Sequence, residues 1–261
     1  MNLKKQVVNF SILDALRGFA ALYVCIAHAR GLLWMGMVEY LKRHPYKTWD
    51  LYDYVISAVM SLTKLSGEFV IFFFVLSGFS IAHSLASKNA YLPFLKKRAL
   101  RLYPTYLLGL LWASVVLIIA MVYRPQYFTG FLNNDNILFF RFQNSSNFFS
   151  FKQVINNLLY NPNTKSIIAP YWSLVYEVIF YLLAPLFILR LSWYVIISAI
   201  LFVLGFFISS DSTLINYFTN YNFYFMVGIY SYHIIPTLQK YVKGISVLLL
   251  LAVTAVSLVC M

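Results

Sequence analysis

The chain has 261 residues, of which 61% are hydrophobic, 19% aromatic and 11% charged. Soluble domains carry about 25% charged residues, so the composition excludes an ordinary soluble globule, a disordered chain and a collagen-like repeat. The formal net charge of +12 does not indicate nucleic-acid binding, because the basic residues lie between long apolar runs instead of sharing one solvated face. In that position Lys and Arg mark the cytoplasmic loops of a membrane protein.

A spanning helix needs about 20 mostly apolar residues. Seven stretches approach or reach that length: 12–34, 67–86, 102–123, 171–189, 193–209, 221–236 and 245–261. The sequence therefore predicts an all-α integral membrane protein, a multi-span helical bundle of about seven transmembrane helices. If every span crosses, Lys4, Lys5, the basic residues between spans two and three, Arg190, Lys240 and Lys243 share one side with no acidic residue. By the positive-inside rule that side, with the N-terminus, is cytoplasmic. The other side carries two longer loops, 35–66 and 124–170. The second holds nine Asn residues and reads as polar and solvated, without a core of its own.

The start of the chain also has a superficial likeness to a secretory signal. Lys4 and Lys5 precede an apolar stretch that ends at Ala27-His28-Ala29. Asp14 and Arg17 interrupt the apolar entry and argue for a retained first span. Cys25 and Cys260 lie in apolar runs without metal-ligand spacing and read as buried free thiols. No metal site is expected.

Charged groups inside spans are costly and mark function. Asp14, Arg17 and His28 fall on one stripe of the first span. At 100° and 1.5 Å per residue, Arg17 and His28 lie about 20° apart around the helix and about 16 Å apart along it. The bland alternatives are a local Asp14–Arg17 pair at a helix start and a neutral, hydrogen-bonded His28 inside the bundle. The run Lys96-Lys97-Arg98-Ala99-Leu100-Arg101 has two readings. It is a topology anchor at the lipid head groups, or Arg98 and Arg101, one turn apart, grip a phosphate together. In Pro170-Tyr171-Trp172-Ser173-Leu174-Val175-Tyr176-Glu177, Trp172 suits a membrane interface. Glu177 lies about one and a half turns inside the span, with Ser173 on the same face, and needs a partner, a proton or a wet cavity. His83 and His233 sit near span ends and His44 in a loop, none with metal-ligand company.

Together these residues resemble the membrane acyltransferase-3 family. Four blocks carry the likeness: Leu13-Asp14-Ala15-Leu16-Arg17-Gly18 with His28 after ten intervening residues; Phe73-Phe74-Val75-Leu76-Ser77-Gly78-Phe79; Arg98-Ala99-Leu100-Arg101-Leu102-Tyr103-Pro104; and Tyr171-Trp172-Ser173-Leu174-Val175-Tyr176-Glu177 with Phe180-Tyr181. The resemblance covers residues 10–240, and beyond that it is only hydrophobic. It departs from the pattern at Ile71, where the family has an acidic residue. It also shows fewer spans than the family's bundle, implying a single acyltransferase-3-like domain over 1–261 that is C-terminally incomplete.

The resemblance implies an O-acyltransferase of surface polysaccharides and related glycans in a bacterial inner membrane. Its partners would be acyl-CoA, the lipid bilayer and a glycan or other hydroxyl acceptor, with no nucleic acid. Acetyl-CoA would be the donor co-substrate, with no tightly bound cofactor. Arg98 and Arg101 would hold CoA phosphates, Arg17 would orient the donor, and Asp14 would orient Arg17. His28 would act as general base or carry the acyl group, Glu177 would position His28 or the acceptor, and Trp172 and Ser173 would line the substrate site. A transporter or exporter without acyl chemistry, and an inactive truncated acyltransferase, are the competing readings. The first lacks the paired repeats of secondary transporters and leaves the Arg-x-x-Arg block unexplained.

Overall fold

The computed structural model describes residues 10–33, 37–86, 91–123, 125, 150–159, 168 and 171–241. These residues form helices α1 (Phe10–Leu33), α2 (Met37–Arg43), α3 (Leu51–Leu62), α4 (Ser66–Ala86), α5 (Tyr91–Tyr123), α6 (Phe151–Leu158), α7 (Trp172–Leu189), α8 (Leu191–Gly205), α9 (Thr213–Asn216) and α10 (Asn222–Tyr241). A 3-10 turn, Tyr46–Thr48, precedes α3, and a π-helical segment, Tyr217–Tyr221, joins α9 to α10. No strand occurs among the described residues.

Among the described residues, four segments are long and apolar enough to cross a bilayer: Ser11–Arg30, Leu51–Ala86, Tyr91–Tyr123 and Trp172–Leu189. They coincide with the first four predicted spans, with two extensions. The third helix begins at Tyr91, so the basic run 96–101 is helical and not a loop. The second apolar segment begins at Leu51, inside what the sequence presents as a loop. The fifth and sixth predicted spans are helical. However, α8 has only 15 residues, and α10 carries Asn, His, Gln and Lys along its length. The predicted span 245–261 and Cys260 lie outside the described residues. Cys25, expected to be buried, is exposed on α1. On an apolar membrane helix an outward-facing small thiol is as compatible with lipid as a buried one with protein.

The chain divides into two compact units. The first comprises Met1–Ala20, Gly67–Tyr103 and Ser173–Met261. Its centre is α4, whose residues Phe74 to Ala82 are all buried, as expected of a helix that is apolar on every side. Small residues let α10 approach it at backbone distance. A Cβ on Gly78 would lie 2.2 Å from the Phe225 carbonyl oxygen, and one on Gly228 would lie 2.1 Å from the Val75 carbonyl oxygen. This is the small-residue packing that membrane helices use where no hydrophobic force drives them together. Aromatic rings fill the space beside the crossing: Phe225 stacks on Phe180 at 4.2 Å and tilts against Phe74 at 4.6 Å. Where α8 meets α10, a buried polar chain runs from Tyr194 through Asn222 to Ser198, at 2.9 and 2.8 Å, so each buried polar group is satisfied internally.

The second unit comprises Ala21–Ser66 and Pro104–Trp172. The loops predicted on this part of the chain contain helices. Asp50 and Asp53 form a capping box at the start of α3, and Tyr40 of α2 donates to the Asp53 carboxylate. That bond favours the neutral phenol and pushes Tyr40 up to about 12. Trp49 donates its indole N–H to the His44 carbonyl at 2.7 Å. Helix α6 falls in the loop read as solvated without a core, yet Asn157 is buried there, and its carbonyl accepts from Tyr106 of α5. Gly109 leaves room for Tyr171, whose hydroxyl would lie 2.0 Å from a Cβ at that position.

Gly228→Val should destabilise the chain strongly, because the new side chain meets α4 backbone and not a movable side chain. Overpacking of this kind costs about 1–3 kcal/mol. Thermal unfolding in detergent should show a lower midpoint, with Gly18→Ala, which meets nothing within 4 Å, as the near-neutral control.

Candidate functional site

The polar residues of the first unit converge on α4. Arg17 donates from Nη2 to the Leu76 carbonyl oxygen at 3.0 Å. The next residue, Ser77, donates its hydroxyl to Glu177 Oε1 at 3.2 Å. Adjacent residues of one helix thus hold a cation from α1 and an anion from α7. Glu177 is 4% exposed and takes a second donor, the Tyr181 hydroxyl, one turn further along α7. The i, i+4 spacing brings Tyr181 over Glu177 on the same face. Two hydroxyl donors on one carboxylate oxygen supply the partners that a buried carboxylate requires.

The cations come from two helices. Asp14 lies 3.7 Å from Arg17 as an i, i+3 pair, and its carboxylate is mostly exposed. It therefore contributes direction more than energy. The Leu76 carbonyl is the firmer anchor of Arg17, and Arg17 Nε is buried without a hydrogen-bond partner among the described residues. Arg98, on the helical run of α5, lays its guanidinium over the rings of Phe94 and Tyr181, at 5.7 and 5.3 Å. Such stacking lowers the cost of removing a guanidinium from water. The charges of Arg98, Arg101 and Glu177 all act on Arg17. The cluster therefore brings guanidiniums from α1 and α5 near one buried carboxylate, with an exposed Asp14 at its edge. Guanidiniums gathered in this way suit an anionic group.

The remaining sequence-predicted residues sit as follows. His28 is half-buried on α1, in the second unit. Trp172 closes the second unit and Ser173 opens the return to the first; both are half-buried at the start of α7. Asp14, Arg17, Glu177, Arg98 and Arg101 are brought together within the first unit. Among the described residues no group of three or more His, Cys, Asp and Glu side chains has the arrangement of a metal site.

Two members of the cluster carry no role in the sequence reading, Ser77 and Tyr181. Tyr181 was accessible in principle, since it stands four residues after an intramembrane Glu. Ser77 stands 100 residues from Glu177, and no local pattern pairs them.

The sequence matches a family described as an acyltransferase domain, acyltransferase-3, over residues 10–261. The chain belongs to the acyltransferase-3 family. The match runs through both units and extends past residue 240, where the motif likeness stops. No curated protein and no solved structure matches the chain. Membership makes this membrane protein an acyltransferase.

Tyr181→Phe removes one donor from Glu177 while keeping the ring beneath Arg98. Hydrogen bonds to charged groups contribute about 1.5–3 kcal/mol, so the variant should melt measurably lower. Acyl transfer should fall by about tenfold or more, by the same energy expressed as a rate. Tyr181→Ala, which also removes the ring under Arg98, should be worse on both readouts.

Proposed function

We propose that this acyltransferase moves an acyl group, acetyl in the first instance, from acyl-CoA to a hydroxyl of a cell-surface or exported glycan. The observation that carries this reading is the gathering of Arg17, Arg98 and Glu177 at one buried junction of the first unit. A CoA thioester brings phosphates and a polarised carbonyl, and charge-assisted bonds from guanidiniums recognise phosphates well. In this reading Arg98 and Arg101 bind the donor phosphates from the cytoplasm. Arg17, anchored on Leu76, offers its remaining donors to the thioester oxygen as negative charge develops there.

His28 is the candidate base. A neutral imidazole accepts the proton of the acceptor hydroxyl as that oxygen attacks the thioester carbon; the C–S bond then breaks, and the CoA thiolate leaves. Alternatively His28 takes the acyl group first and passes it on. Glu177, held by Ser77 and Tyr181, positions the groups around the donor. Trp172 and Ser173 line the acceptor side. The same reading puts the chain in a bacterial inner membrane with the N-terminus in the cytoplasm, the orientation that the basic loops favour.

Membranes carrying the chain should incorporate label from radiolabelled acetyl-CoA into alkali-labile O-esters on surface glycan. His28→Ala should abolish incorporation with insertion intact. Arg98→Ala and Arg101→Ala should raise KM for acetyl-CoA more than they lower kcat, because the lost contacts bind donor in ground and transition states alike. A fully active His28→Ala would remove His28 from the chemistry. Label that crosses the membrane without becoming attached would favour export over transfer.

A further inference from the structure

Helix α3 is turned inside out for a helix in water. Its buried residues are polar, Asp53 and Ser57. Its large exposed residues are apolar or aromatic: Leu51 at 80%, Tyr52 at 66%, Tyr54 at 55%, Val55 at 52%, Val59 at 50% and Leu62 at 73%, with Ala58 and one polar residue, Ser61, also exposed. At 100° per residue these six fall within an arc of about 160°, with Asp53 and Ser57 on the opposite side. The exposed arc carries no charge. A soluble helix has the reverse pattern.

Both ends of α3 have their backbone groups provided for. At the start, the Asp50 side chain accepts from the Asp53 amide at 3.0 Å, and Asp53 accepts from the Asp50 amide at 3.0 Å. At the end, Tyr23 of α1 donates to the Leu62 carbonyl and accepts from the Leu65 amide at 3.2 Å. This closes the turn between α3 and α4 with a side chain where a solvated turn would use water. Such satisfaction is what backbone needs where water is scarce. Ahead of α3 stand Lys42, Arg43, Tyr46, Lys47 and Trp49, the basic and aromatic residues of a membrane-interface belt.

Length then limits how α3 meets the membrane. Its 12 residues reach about 18 Å, well short of the roughly 30 Å hydrocarbon core. Helix α4, with 21 residues, reaches about 31 Å and crosses without help. The geometry points to α3 as a lipid-facing helix that is embedded at the membrane boundary, its apolar arc against acyl chains and its Asp53–Ser57 side against the protein. The segment that follows the first span is thereby a membrane-anchoring element and not a solvated loop. This inference is independent of the proposed reaction.

The test uses the full chain with Cys25 and Cys260 replaced by Ala, reconstituted in phosphatidylcholine nanodiscs. Single cysteines at Val55, Val59 and Leu62 carry a nitroxide. Lys47 serves as the exposed reference, and Ile118, on the outward face of α5, as the lipid reference. Collision rates are measured with oxygen, which concentrates in lipid, and with a water-soluble nickel chelate. Labels on α3 should resemble Ile118, with oxygen collisions exceeding nickel collisions several-fold. Nickel collisions at the level of Lys47 would overturn the inference and leave α3 as a water-facing surface. Dipolar broadening between labels on different molecules would overturn it in favour of a second copy covering this face. Protection from both reagents would overturn it in favour of burial within the protein.

Discussion

A carboxylate taken out of water must be given donors, and in this chain that requirement organises the first unit. Glu177 has two, Ser77 and Tyr181. Ser77 is delivered by α4, whose preceding residue, Leu76, offers its carbonyl to Arg17. One turn of a buried helix therefore serves an anion and a cation from two other helices. Such a junction tolerates little movement, because each lost bond leaves a buried polar group uncompensated. The glycine crossing between α4 and α10 matters for that reason. Gly78 follows Ser77 directly, and its missing side chain sets how closely α10 seats against the helix that holds both charges.

The same junction explains why Arg98 sits where it does. A guanidinium near Glu177 pairs well with the carboxylate only if its own desolvation is offset. The rings of Phe94 and Tyr181 supply that offset as a flat, electron-rich surface. Tyr181 thus has two functions at once: its hydroxyl satisfies Glu177, and its ring carries Arg98. The second unit follows a different logic. There the polar groups, Asp53 with Tyr40 and Tyr106 with the Asn157 carbonyl, are used to close helix ends and hold short helices on long ones, not to gather charge.

Much of this was legible in the chain itself. The first four predicted spans, the intramembrane Asp14, Arg17 and Glu177, and the family blocks all depend on spacing within one segment, which helical geometry converts directly into position. The loops were read less well. Apolar density over 51–62 is high, but the stretch is too short for a span and carries Asp53 near its start. A hydropathy reading therefore assigns it to solvent, and only the partner of Asp53 shows that the charge faces inward. The segment 150–159 was hidden in the same way, since the Tyr106 that holds its Asn157 carbonyl lies on α5.

Composition, span length and basic-loop asymmetry were enough by themselves to establish a helical membrane protein, and the ordered blocks were enough to point to its family, since these are properties of short, contiguous stretches. The pairing of Ser77 with Glu177, the anchoring of Arg17 on a backbone carbonyl and the inverted face of α3 were decided by tertiary structure alone. Each depends on which face of a helix meets which neighbour. That choice is made by packing between segments far apart in the chain, and no local pattern of residues encodes it.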